Sequence, residues 1–299
     1  MTQVTVTTLT LTHISPTSGT ILHLLSCFPN LASADVTFGF ARFIFANDDG
    51  GRLHLPSSLP IVLPALASFT LRSQYLPEED DYKTITRLLG SHIRAPSLTS
   101  LSILFCASDE NILYTPFLAA DMVHSITTFM SSSSNTLRNL VIRGFPRSQN
   151  KWDALLSSIP STVETIQIGD HLHISSDRDG SWELESCERA ERPFQVLRKN
   201  AELIPRLRSL ELYGSLADTH VDDLLAVVRD RKATLRKVYF FAEGGSEETD
   251  GELRGLSAAR ALKRKLMEER KLTGEGNFKV DVGCLVAKKL PQLELQNYE

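Results

Sequence analysis

The chain has 299 residues, 42% hydrophobic and 23% charged, a balance that excludes a disordered segment and suits one large domain or two ordinary ones. A formal net charge of -4 and a pI near 6.1 exclude a global basic field of the kind that recruits nucleic acid or anionic membrane. The amino end lacks the basic start and apolar run of a signal peptide, and no apolar run reaches the roughly 18 residues of a membrane span, so a cytoplasmic or nuclear protein without membrane partners is expected.

Taken in chain order, the predicted elements repeat one spacing, L-x-x-L-x-L, with Ile, Val or Phe also allowed. The first copy is the strand around Val6, Leu9 and Leu11. A stripe of helical period follows, with Ile21, Leu24, Leu25 and Phe28 at i, i+3, i+4 and i+7. The second copy, Leu31-Ala34-Val36, is weakest at its middle position. Residues 39–63 break the rhythm: Phe40, Phe43, Ile44 and Phe45 lead into the turn signal Asp48-Asp49-Gly50-Gly51, which predicts an irregular insertion. The third copy is Leu66-Phe69-Leu71, and the short stripe Ile85, Leu88 and Leu89 precedes the fourth, Leu98-Leu101-Ile103. A looser stripe at Leu118, Met122, Ile126 and Phe129 leads to Leu137-Leu140-Ile142. Trp152, Leu155, Leu156 and Ile159 lead to Val163-Ile166-Ile168. Residues 170–192 form a second, polar insertion around Asp177-Arg178-Asp179-Gly180. Leu207-Leu210-Leu212 is the seventh copy, and the stripe Val221, Leu224, Leu225 and Val228 precedes the eighth, Leu235-Val238-Phe240. Beyond Gly244-Gly245-Ser246, a charged linker is predicted to reach a helix over 252–272, a closing strand over 278–282 and a loose tail.

A strand with one apolar face and a helix with one apolar stripe cannot bury those surfaces alone, so such units must stack. The expected fold is α/β: a leucine-rich-repeat solenoid, or horseshoe, with a parallel sheet on the concave side and helices outside. Residues 1–243 would form the solenoid in about eight irregular repeats, and residues 244–299 would cap it. Pro29, Pro64, Pro96 and Pro205, each two residues before a copy, and Pro160, three before, are expected to end the preceding helices.

Strand alternation also predicts which side chains face a partner. The amino-terminal sets, such as Thr8, Thr10, Thr12 and Ser33, Asp35, Thr37, are small and mostly hydroxylic. The carboxy-terminal sets carry Glu211 and Tyr213, then Lys237, Tyr239 and Phe241. Tyrosine and arginine supply much of the energy of protein interfaces, because they bury large areas while keeping a polar handle. A hot spot on the last strands, with Arg72 and Arg143 as outlying anchors, is therefore expected to hold a protein partner. The alternative is that these aromatics pack under the carboxy-terminal helix as a cap.

Chemistry of other kinds finds little support. The four cysteines are scattered without a C-x-x-C pair, as reduced thiols would be. No G-x-S-x-G elbow, H-E-x-x-H pair or phosphate-binding G-x-x-x-x-G-K-[ST] loop occurs. His171-x-His173, with Cys187 or Asp177, has metal-ligand types but reads as a solvated loop, and Asp177-x-Asp179-Gly180 lacks the further oxygen ligands of a calcium loop. The basic run Arg254, Arg260, Lys263, Arg264, Lys265, Arg270 and Lys271 reads as a solvated helix face, opposite the stripe Leu256, Ala259, Leu262 and Leu266. No catalytic centre, metal or cofactor is expected, and nucleic acid is not an expected partner. An enzyme acting at the 170–192 insertion is the competing class.

The segments Phe28-Pro29-Asn30-Leu31, Leu63-Pro64-Ala65-Leu66, Ala95-Pro96-Ser97-Leu98 and Ile204-Pro205-Arg206-Leu207 share one form, each followed by the repeat spacing. Over roughly residues 4–242 this resembles the leucine-rich-repeat portion of F-box proteins, especially the F-box-like proteins abundant in basidiomycete fungi. The resemblance implies a ubiquitin-ligase receptor whose repeats capture substrate while an amino-terminal F-box docks an adaptor. Here a repeat strand begins within ten residues of Met1, and no residue matches an F-box. The expectation is either a truncated chain or a repeat-only relative, and an adaptor is a partner only if an F-box lies upstream. Without it, the chain would be a free-standing scaffold or inhibitor with no link to ubiquitin.

Overall fold

The computed structural model describes residues 5–14, 18–38, 60–73, 86, 88–105, 116–143, 151–169, 193–213, 221–244, 261, 263–268 and 279–286. Strand β1 (Thr8–Ile14) leads through helix α1 (Ser18–Ser26) to β2 (Ser33–Phe38). The two-residue β3 (Ile61–Val62) precedes β4 (Ser68–Ser73). A π-helical turn, Leu88–His92, runs into the equally short β5 (Ile93–Arg94), and β6 (Ser100–Phe105) follows. Helices and strands then alternate: α2 (Pro116–Ser131), β7 (Asn139–Arg143), α3 (Lys151–Ser157), β8 (Thr165–Gly169), α4 (Pro193–Lys199), β9 (Ser209–Tyr213), α5 (Val221–Asp230) and β10 (Lys237–Gly244). Residues 263–268 are helical, and β11 (Lys279–Val286) completes the order.

The architecture is α/β, with one open sheet in the order β1-β2-β4-β6-β7-β8-β9-β10-β11, every neighbouring pair parallel. The register matches the L-x-x-L-x-L copies position for position. The middle apolar positions form one row across the sheet, Leu9, Ala34, Phe69, Leu101, Leu140, Ile166, Leu210, Val238 and Val280. A one-residue slip would send a strand's entire apolar set to the other face, so the pattern itself holds this register. From Ala34 to Val238 the row is buried, in one continuous core with the helices. Ala34, the weak middle position, is only 1% exposed. Phe69 meets Phe129 of α2 at 5.7 Å between ring centroids, with the rings tilted by 58°.

The units also join through the backbone. At seven strands, β1, β2, β4, β6, β7, β8 and β9, one carbonyl just before the strand accepts two amides from the unit that follows. Thr7 O accepts from Ala32 and Ser33, Ala32 O from Ala67 and Ser68, and Ala67 O from Thr99 and Ser100. The chain of joints continues through Thr99, Arg138, Glu164 and Arg208 to the amides of Arg236 and Lys237. Side chains reinforce the joints: Thr99 Oγ1 donates to Ala67 O at 3.0 Å, and beside the next two joints Thr136 Oγ1 donates to Leu98 O and Thr162 Oγ1 to Leu137 O, each at 2.8 Å. Along the helical layer, Asp223 in the first turn of α5 pairs with Arg198 of α4, and Lys265 reaches Asp222 at 3.8 Å.

Some expectations need correction. Pro64 and Pro96 do not follow helices; each follows a two-residue strand, and β3 and β5 pair as a separate parallel ladder. Both prolines still sit in a tight turn, in which Leu66 N donates to Leu63 O and Leu98 N to Ala95 O. In α1 it is Leu22, not Leu24, that joins Ile21 and Leu25 in the core. Helix α4 had no counterpart in the predicted stripes. The predicted closing strand is longer than expected and pairs with β10 over Lys237–Gly244 as a ninth member of the sheet. Both insertions, save residues 60–63 of the first, and all but residues 261 and 263–268 of the predicted carboxy-terminal helix lie outside the described residues.

Candidate functional site

Three rows of outward positions run across the sheet face opposite the core. The first row, Thr8, Ser33, Ser68, Ser100, Asn139, Thr165, Ser209, Lys237 and Lys279, lies where the strands begin. The second runs Thr10, Asp35, Thr70, Ser102, Val141, Gln167, Glu211, Tyr239 and Asp281. The third runs Thr37, Arg72, Leu104, Arg143, Gly169, Tyr213, Phe241 and Gly283. Alternation along each strand produces these rows, because residues two apart share a face.

The structure brings the sequence-predicted site residues onto this face in two groups. Glu211 and Tyr213 of β9 stand beside Tyr239 and Phe241 of β10 in direct register, with Lys237 opposite Ser209. Tyr239 and Glu211 are half-buried, and Lys237 is exposed. The side chains of Tyr213 and Phe241 lie outside the described residues, so only their backbone positions are stated. Arg143 and Arg72 share the third row with these two aromatics, Arg143 two strands from β9 and Arg72 two strands further. From Arg72 to Phe241 is five strand spacings, or about 24 Å at about 4.8 Å each.

Two polar contacts on this face join residues that sequence reasoning had treated as mere neighbours. Gln167 Nε2 donates to Glu211 Oε2 at 3.1 Å, directly across the β8–β9 register. Arg72 Nη2 donates to Asp35 Oδ2 at 3.0 Å, a diagonal pair on β4 and β2. Asp35 Oδ1 is buried and has no hydrogen-bond partner among the described residues. Thr37, expected to face outward, is only 5% exposed and lies opposite Arg72 in the register. Arg72 is thus partly committed within the sheet, and so less available as an anchor than its isolation in the sequence suggested.

A groove of about 680 Å³ lies on the helical side, lined by the β3–β5 ladder, Gly90 and Pro96, and Thr128, Ser131 and Ser132 at the end of α2. Val62, 53% exposed, and Arg94 form part of its wall. Among the described residues that line it, no pair of groups is placed for acid–base or nucleophilic work. The histidines and carboxylates weighed as a metal or enzymatic site, His171, His173, Asp177 and Cys187, lie outside the described residues. Among the described residues no helix is long and apolar enough to cross a membrane.

Among the described residues, the arginine whose charge is penalised by burial has a structural role. Arg231, at the end of α5, is 5% exposed and donates to three carbonyls of the preceding loop: Ala201 O at 2.8 Å, Leu203 O at 2.9 Å and Asn200 O at 3.3 Å. Burial lowers its pKa, and the charges of Asp230 and Glu202 oppose that shift. The loop it grips ends at Ile204, whose φ of 54° is left-handed, a region β-branched residues avoid. Comparison of the chain with protein-family models, with curated proteins and with solved structures gives no match.

Proposed function

We propose that this chain is a leucine-rich-repeat solenoid that binds a protein on its open sheet face, and that it has no catalytic centre of its own. The observation that carries the reading is the in-register sheet. Nine neighbouring parallel strands share one register, and from β2 to β10 they bury one face against helices while the other carries rows of outward positions. Those rows grade from hydroxyls at β1 to Glu211, Lys237 and Tyr239 at β9 and β10. A stacked array offers a long surface without a closed cavity, which suits a macromolecule better than a small substrate. By its resemblance to the repeats of F-box proteins, the partner would be a substrate presented for ubiquitination.

The test is affinity capture with cross-linking from cells that express the protein, using the intact chain and a Tyr213→Ala/Tyr239→Ala variant. A partner of this face should lose more than about 1 kcal/mol of binding in the variant and be unaffected by Lys263→Ala on the helical side. Equal binding by a folded Tyr213→Ala/Tyr239→Ala variant would sink the proposal. Co-purification of a ubiquitin-ligase adaptor separates a substrate receptor from a scaffold or inhibitor without that link.

A further inference from the structure

The edge at which the strands begin changes character along the sheet. The residues whose carbonyls form the backbone joints are Thr7, Ala32, Ala67 and Thr99 in the first four units and Arg138, Glu164 and Arg208 in the next three, and Arg236 donates its amide to the last of them. Around Arg208 and Arg236 stand Arg206, Lys232 and Lys237, and all five of these cations are exposed. Adjacent strands are only about 4.8 Å apart, so these charges are crowded. The backbone register also sets Lys237 opposite Lys279.

Among the described residues, the nearby carboxylates are Glu164, Glu202, Glu211 and Asp230. Glu164 meets Arg208 at 3.6 Å, and Glu211, one row deeper, accepts from Gln167. Asp230 and Glu202 act on the buried Arg231. The rim is thus a basic patch on a chain whose net charge is -4.

We propose that this rim docks an acidic, extended segment of a protein partner, with the Arg208 and Arg236 guanidinium groups holding its carboxylates and Arg206 and Lys237 flanking them. The proposal rests on the reading that the sheet face holds a protein. Guanidinium groups pair with carboxylates in a two-pronged geometry that ammonium groups do not match. Glu164, between Arg138 and Arg208 along the rim, decides between polyanions. A peptide can place a neutral or basic residue opposite it, whereas a nucleic-acid strand brings a negative charge at every step.

The experiment is fluorescence anisotropy on the full chain, with a labelled peptide of about 12 alternating Glu and Ser residues, its Gln/Ser counterpart, and an oligothymidylate of equal length. The acidic peptide should bind at about 50 mM salt and weaken several-fold at about 300 mM, while the Gln/Ser peptide should not bind. Arg208→Glu/Arg236→Glu should weaken it at least about tenfold, and Lys263→Glu/Arg264→Glu on the helical layer should leave it unchanged. Arg206→Gln/Lys237→Gln removes side chains that make no bond among the described residues, so it keeps the fold and should still cost about threefold. Three results overturn the proposal: no binding of the acidic peptide, equal binding by the rim variants, or tighter binding of the oligothymidylate. The peptide stands in for the natural partner, so its failure condemns the rim alone. Retention of that partner by Tyr213→Ala/Tyr239→Ala condemns the sheet-face reading alone.

Discussion

Replacing Arg231 with methionine tests whether the units are clamped to one another by side chains as well as stacked. The guanidinium makes two short hydrogen bonds, to Ala201 O and Leu203 O, and a longer one to Asn200 O. A hydrogen bond from a charged donor contributes about 1.5–3 kcal/mol, so the two short ones together contribute about 3–6 kcal/mol. Two effects work against that gain. The cation is desolvated, as its lowered pKa records, and its buried Nε has no hydrogen-bond partner among the described residues, an omission that costs about 1–3 kcal/mol. Taking the middle of each range, the net loss in Arg231→Met is about 2.5 kcal/mol. Arg231→Lys keeps the charge but not the fork, and should lose about 1–2 kcal/mol. Urea unfolding measures the total, and hydrogen exchange locates it, because stacked units need not unfold together. The amides of Leu203, Leu207 and Arg208 should exchange faster in the variant while those of β4 and β6 do not. A loss below about 0.5 kcal/mol, or exchange unchanged in that loop, would refute the clamp. The folded Arg231 holds its proton less tightly than the unfolded one. That difference adds stability only at strongly alkaline pH, so the clamp should not vary with pH near neutrality.

Other expectations follow from the same contacts. Phe69→Ala removes a fully buried ring and its tilted contact with Phe129, and should lower stability by about 3–5 kcal/mol in urea unfolding, whereas Phe69→Leu should cost less than half of that. Ile204→Gly relieves the left-handed backbone by about 1 kcal/mol but empties a buried site, so calorimetry should show a net loss of about 1–3 kcal/mol. Thr162→Val removes the hydroxyl that donates to Leu137 O and Ser134 O, and should cost about 0.5–1.5 kcal/mol. Arg72→Ala breaks a pair whose arginine side chain is 49% exposed, so the change should stay within about 1 kcal/mol and shrink in high salt.

The sheet was legible in the sequence because its signal is the simplest one a chain carries. A period of two, repeated after each turn, names the strand, its inward residues and its register together, and even Ala34 kept its place on that count. The helical layer was harder to read. Helix α4 begins at a proline, and its buried Pro193, Phe194, Val196 and Leu197 do not complete an i, i+3, i+4, i+7 stripe of the kind that marked the other helices. The two-residue strands before Pro64 and Pro96 show no period at all. The polar contacts of the face were hidden for another reason. Gln167 and Glu211 are 44 residues apart, and only the stacking of β8 on β9 makes them neighbours. Arg231 was invisible because its partners are carbonyls, which every residue has.

The joint in which one carbonyl receives two amides needs only main chain, although at Ala67 the Thr99 hydroxyl donates to the same oxygen. It forms equally well beside threonine, alanine, arginine and glutamate, as Thr99, Ala67, Arg138 and Glu164 show. Folding therefore places little demand on the side chains at these positions, and a mutation there is judged by what it does to the surface. A protein built on such joints can rewrite its whole rim one residue at a time, exchanging charge, size or hydroxyl content, while the spine beneath stays the same.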